Sequence, residues 1–192
     1  MNAQATILII PGLRDHVAEH WQTLLEAKLA KTRKVRSVPP LEVDKLSCAA
    51  RVEAIERTMQ TIKEPVIVVA HSGGVIMFAH WAQKYQHHIQ GALLAAPADL
   101  ETPLPAGYPT NDVLQANGWL PMPRTQLPCR SLVVASTNDP LAGMSRAEGM
   151  ARDWGSEFIN AGDVGHLNPS SGFGEWPQAE ELIARLTLGP AI

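Results

Sequence analysis

A serine sits among small residues in the string Ala70-His71-Ser72-Gly73-Gly74. The apolar run Val66-Ile67-Val68-Val69 leads into it and Val75-Ile76-Met77-Phe78 leads out, so a strand should enter the turn and a helix should leave it. A serine presented on so sharp a turn needs small flanking residues, which is the physical content of the pattern G-x-S-x-G. Alanine at position 70 replaces the first glycine, and as the next smallest residue it keeps the turn feasible. A hydroxyl is a poor nucleophile at neutral pH and needs an adjacent base, which in turn needs an orienting acid. Both follow in the order acid, then histidine. Asp139 lies just past Leu132-Val133-Val134-Ala135, and His166 lies in Gly162-Asp163-Val164-Gly165-His166, beyond the last expected strand. In these roles His166 takes the Ser72 proton and later delivers it to the leaving group, while Asp139 fixes the imidazole tautomer. The developing oxyanion needs donors already aimed at it. The backbone N–H of Gly73 is one, and the N–H of Leu13, in the loop Pro11-Gly12-Leu13, is assigned as the second. Gly12 permits a close backbone approach, and Gly12 and Trp119 are the expected substrate-binding residues.

The other histidines have plainer expectations. His71 occupies the variable position of the turn and is expected to pack, pointing away from the serine; His20, beside Trp21, is a candidate to orient the oxyanion loop; His87-His88 end an exposed helix. No histidine or cysteine has metal-ligand spacing, so neither a metal nor a cofactor is expected.

To place these groups, the chain must alternate strands with amphipathic helices, and it does. Strands are expected at Thr6 to Ile10, Lys34 to Val38, Val66 to Val69, Ala92 to Ala96, Ser131 to Ala135 and Ser156 to Asn160. Asp15 is expected to cap a first helix carrying Val17, Trp21, Leu24, Leu25 and Leu29 on one face, and Asp44 or Ser47 to cap a second. Further helices are expected at about 74–87, 143–154 and 176–187. Residues 99 to 127 contain five prolines and read as an ordered excursion near the C-terminal edge of the sheet, with one or two helical turns over 111–118. The fold class is α/β: one domain over residues 1–192, with a mostly parallel central sheet of about six strands and helices on both faces, the α/β-hydrolase architecture.

Composition narrows the setting. Of 192 residues, 45% are apolar and 18% charged, and the net charge of −3 comes without a run of Lys or Arg, so neither nucleic acid nor membrane is an expected partner. Cys48 and Cys129 form no framework and read as reduced thiols of a cytoplasmic protein.

The segments Pro11-Gly12-Leu13, His20-Trp21, the turn through Ser72, Ala135-Ser136-Thr137-Asn138-Asp139-Pro140, Trp154-Gly155, Gly165-His166-Leu167-Asn168 and Ser171-Gly172-Phe173-Gly174-Glu175-Trp176-Pro177 together cover almost the whole chain. Through them the sequence resembles the small serine-hydrolase family that includes retinoblastoma-binding protein 9 and the bacterial YdeN-type proteins. The resemblance implies a reduced, lid-poor α/β-hydrolase with a Ser-Asp-His triad. A retinoblastoma-type partner is not supported, because Leu46-Ser47-Cys48-Ala49-Ala50 has alanine where a Leu-x-Cys-x-Glu motif needs glutamate. The expected activity is hydrolysis of small acyl esters through an acyl-enzyme on Ser72. The short 99–127 segment suggests an open site suited to short acyl chains. A non-catalytic scaffolding role on the same fold, or acyl transfer to a thiol, amine or alcohol, are the alternatives.

Overall fold

The computed structural model describes residues 4–188. Six strands form one sheet: β1 (Thr6–Ile10), β2 (Val35–Ser37), β3 (Val66–His71), β4 (Ile89–Ala95), β5 (Ser131–Ala135) and β6 (Glu157–Asn160), in the order β2-β1-β3-β4-β5-β6. Every neighbouring pair is parallel. Six helices connect or follow them: α1 (Trp21–Leu29), α2 (Cys48–Met59), α3 (Gly73–Lys84), α4 (Asn111–Ala116), α5 (Met144–Trp154) and α6 (Gln178–Thr187).

Side chains alternate across a strand, and the central strands are apolar at nearly every position. They therefore feed two separate cores. Leu8, Ile10, Val68, Ala70, Leu94 and Val133 pack with α2, α3 and α5 on one face. Ile7, Ile9, Ile67, Val69, Leu93 and Leu132 pack with α1 and α6 on the other. Such continuous apolar runs are what a parallel sheet covered on both sides requires.

Local boundaries depart from expectation where tertiary contacts win. Asp15 does not cap α1. Its backbone has a φ of 57° and its carboxylate pairs with Arg51 from α2, so the chain turns on beyond it. The cap is His20, whose Nδ1 accepts the N–H of Gln22 at 3.2 Å, and Val17 lies before the helix. Ser47 caps α2 by accepting the N–H of Ala50. Strand β4 begins at Ile89 rather than Ala92: Gly91 allows the side chain of Leu186 to approach, and Gln90 bonds the carbonyl of Thr187.

The excursion between β4 and β5 divides in two. Leu114, Trp119, Met122 and Leu127 are buried in the core beside α2, α3 and α5. Leu100, Leu104 and Tyr108 instead face a cavity at the C-terminal edge of the sheet.

Gly74, in the first turn of α3, sits hard against the end of β1. A Cβ there would lie 2.5 Å from the carbonyl oxygens of both Ile10 and Pro11. Gly74→Ala must therefore separate α3 from β1, and urea melts are expected to show a loss of about 1–3 kcal/mol. Gly174→Ala, which meets nothing within 4 Å, should leave stability within ~0.5 kcal/mol of the parent.

Candidate active site

The turn around Ser72 is strained. Ser72 has φ 56° and ψ −126°, outside the regions a residue with a Cβ normally adopts. Such a conformation costs roughly 1–3 kcal/mol and persists only where its surroundings over-determine it. Here Ser72 donates its N–H to Ala95 at 3.0 Å and accepts the N–H of Val75 at 3.0 Å, so β4 and the first turn of α3 hold it on either side. Ala70 is fully buried within β3, and the close approach that demands glycine falls on Gly74.

Three side chains that are distant in sequence then meet. His166 Nε2 lies 2.7 Å from Ser72 Oγ. His166 Nδ1 lies 2.9 Å from both carboxylate oxygens of Asp139, and both side chains are almost wholly buried. An ionised carboxylate can only accept, so the imidazole proton sits on Nδ1 and Nε2 is left to accept from the serine hydroxyl. Asp139 is itself oriented by the N–H of Leu141, which it accepts at 2.8 Å.

The loops carrying Asp139 and His166 are tied together by polar side chains. Asn138 Oδ1 accepts the N–H of Gly165 at 2.6 Å. Ser136 Oγ donates to the carbonyl of Gly162 and accepts the N–H of Val164, both at 3.0 Å. On the far side, Ser171 Oγ accepts the N–H of His166 and donates to Asn168. His71 Nε2 is 2.8 Å from the carbonyl of His166, which makes His71 the donor and fixes its tautomer. His71 thus packs as expected, and it also braces the backbone of His166.

The segments expected to supply the oxyanion donors come from the end of β1 and the start of α3, and they lie side by side. A Cβ built on Gly73 would lie 3.7 Å from Leu13 N, and one on Gly12 would lie 3.3 Å from Ser72 Cβ, so the two backbone segments nearly touch. Gly73 is the first residue of α3, where the N–H has no partner within the helix. Two residues missed in sequence hold this corner. Gln22 donates from Nε2 to the carbonyls of Ile10 and Val69, joining the ends of the strands that lead into the two segments. Arg51, buried on α2, pairs with Asp15, donates to the carbonyl of Lys45 at 2.8 Å and reaches the carbonyl of Leu13 at 3.4 Å. No sequence period marks Arg51, because it lies on the inward face of an otherwise amphipathic helix.

Ser72 and His166 open onto a cavity of about 270 Å³. Its apolar wall is Leu13, Leu100, Leu104, Tyr108 and Leu141; its polar wall includes Arg14, His20, Gln22, Asn168 and Ser170. Gly12 and Gly73 line it, but Trp119 does not. Trp119 is fully buried between α2 and α3, with Nε1 donating to the carbonyl of Leu46 at 2.7 Å, so the expectation of a pocket wall is corrected to a core role. His20 lies on the wall, its ring centroid 4.6 Å from that of His71. Burial, with His166 and His16 nearby, lowers the His20 pKa from the usual 6.5 to about 4. Burial also holds His71 well below its usual value, so both rings are neutral at pH 7. No group of three or more His, Cys, Asp or Glu among the described residues is placed to hold a metal ion. Likewise no described helix is long and apolar enough to cross a membrane.

The serine hydrolase family model matches residues 7–185. Among solved structures, a YdeN-like hydrolase of Pectobacterium atrosepticum is 33% identical, with a TM-score of 0.74 over 96% of this chain and 91% of that one. The ydeN gene product of B. subtilis is 17% identical, with a TM-score of 0.76 over 96% of this chain and 99% of that one. At 10% identity, Est1E of Butyrivibrio proteoclasticus, solved with ferulic acid bound, shares the fold with a TM-score of 0.71 over 96% and 90%. No curated protein sequence matches the chain.

Two outcomes follow from the supports of the site. Arg51→Met removes the contact to Leu13 and leaves the Asp15 carboxylate unpaired, so the rate at which a fluorophosphonate modifies Ser72 should fall about tenfold or more. Arg51→Lys, which keeps the ion pair, should recover part of it. A parent-like rate in Arg51→Met would show that the corner does not depend on this brace. The second concerns pH. His20 stays neutral in the folded protein, whereas the unfolded chain protonates it near 6.5, so the unfolded state binds more protons between about pH 4 and 6.5. Stability must fall as pH drops through that window. His20→Asn, which can still cap α1, should reduce the slope of stability against pH by up to about 1.4 kcal/mol per unit, read from urea melts.

Proposed function

The chain belongs to the serine hydrolase family, and on that footing we propose that it is a carboxylic-ester hydrolase working through an acyl-enzyme on Ser72. One observation carries the reading: Ser72 Oγ, His166 Nε2 and Asp139 form a continuous hydrogen-bonded series at 2.7 and 2.9 Å, and its serine end faces the cavity.

In the first half-reaction, Ser72 Oγ attacks the ester carbonyl carbon as His166 Nε2 takes the hydroxyl proton. The imidazolium is stabilised by the Asp139 carboxylate, and the carbonyl oxygen, now an oxyanion, is held by the N–H groups of Leu13 and Gly73. Collapse breaks the bond to the alkoxy group, which leaves with the proton from His166. A water then repeats the sequence on the acyl-enzyme, giving the free acid and restoring the serine. The size of the cavity and its short apolar wall favour short acyl chains. Two free thiols, Cys48 and Cys129, both pushed up to about 12 by burial, fit a reducing, cytoplasmic setting.

Treatment with a fluorophosphonate probe should label Ser72, as read by peptide mass spectrometry, and Ser72→Ala should abolish both labelling and ester hydrolysis. Asp139→Asn should keep the protein folded yet lower kcat by about 10³–10⁴-fold, since the imidazole loses the partner that sets its tautomer. Across 4-nitrophenyl esters, kcat/KM should fall beyond short acyl chains. Failure of Ser72 to label in the native protein would overturn the assignment. Ester or amide products accumulating with added alcohols or amines would shift it to acyl transfer.

A further inference from the structure

The chemistry proposed for Ser72 leaves Arg14 without a task. Arg14 directly follows Leu13 and lines the cavity, and its guanidinium carbon lies over the Tyr108 ring, 5.4 Å from the centroid. Among the described residues, no carboxylate pairs with it. The other charged residue on the cavity wall, Asp15, is already neutralised by Arg51. His20 and His71 are uncharged at neutral pH. Asp139 is not part of the wall; it stands behind His166. The cavity wall thus carries one uncompensated positive charge, resting on an aromatic ring beside the apolar side chains of Leu100 and Leu104.

An arginine on an open surface is simply solvated. Arg14 is exposed overall, yet Tyr108 covers its guanidinium on one side and restricts the side chain. We infer that Arg14 recognises a carboxylate on the substrate, so that the enzyme acts on small esters carrying a second, free carboxyl group. The inference rests on the esterase reading of the same site. The chemistry favours carboxylate over phosphate. The planar guanidinium edge matches a carboxylate with two parallel hydrogen bonds, and no lysine or second arginine lines the cavity to meet a second negative charge. Leu104 and Tyr108 would then cover the methylene chain between the ester and the acid.

The test compares mono-4-nitrophenyl adipate with its methyl ester, which differ in the distal charge and one methyl group. The parent enzyme should favour the free acid in kcat/KM by about tenfold or more, and added salt should erode that preference. Arg14→Gln should abolish it by raising KM for the acid about tenfold more than KM for the methyl ester, and Arg14→Lys should fall between. A parent enzyme that hydrolyses both equally, or an Arg14→Gln variant that loses both in parallel, would overturn the inference. Calorimetry keeps it separate from the esterase assignment. In Ser72→Ala, monomethyl adipate should bind more tightly than dimethyl adipate, and Arg14→Gln in that background should remove the difference. If Ser72 fails to label and neither ester is cleaved, the esterase reading fails. Equal binding of the two adipates fails the Arg14 assignment, whatever the enzyme turns over.

Discussion

The strained backbone of Ser72 is the constraint around which the molecule is arranged. A left-handed φ on a residue with a Cβ is unfavourable, and nothing local in Ala70-His71-Ser72-Gly73-Gly74 removes that cost. It is offset by packing. Strand β4 supplies the carbonyl of Ala95 to the Ser72 N–H, and Gly74 lets α3 start against the carbonyls of Ile10 and Pro11. The same close approach brings Leu13 and Gly12 beside the serine. One contact between β1 and α3 therefore sets both the exposure of the hydroxyl and the positions of the Leu13 and Gly73 backbone beside it.

Asp139 and His166 are organised differently. Asp139 and His166 sit on loops after β5 and β6, which run side by side in register from Leu132 opposite Glu157 to Ala135 opposite Asn160. Parallel neighbours deliver their following loops to the same edge of the sheet, so the two loops start out adjacent. Their final register comes from Asn138 and Ser136, which satisfy backbone groups of the histidine loop. Buried polar groups of this kind are costly if left unpaired, which gives the two loops one favourable arrangement rather than several. His71 adds a brace from the elbow itself, linking the serine turn to the carbonyl of His166.

Charge around the cavity is similarly allocated. Burial keeps His20 and His71 neutral, and Asp15 is engaged with Arg51, which also reaches the carbonyl of Leu13. The polar wall therefore combines neutral histidines, amides and hydroxyls with one charge left unpaired, that of Arg14. The apolar wall comes from the proline-rich excursion, whose remaining length is committed to the core.

The architecture and the chain order of the candidate serine, acid and histidine are legible in the sequence. Unbroken apolar runs such as Val66 to Val69 can only be strands covered on both faces, and a serine between small residues at the end of such a run can only lie on a tight turn. Asp139 and His166 were legible for the same reason: each follows a strand whose end is marked by turn-forming residues. Tertiary structure decided what depends on partners remote in sequence. Asp15 looked like a helix cap until Arg51 claimed its carboxylate, and His20 took the cap instead. Trp119 looked like a pocket wall because prolines surround it, but the space between α2 and α3 and the carbonyl of Leu46 drew it into the core. Periodicity records which face of an element is apolar. It does not record which polar group across the fold will satisfy a buried charge or carbonyl, and in this protein those pairings hold the site together.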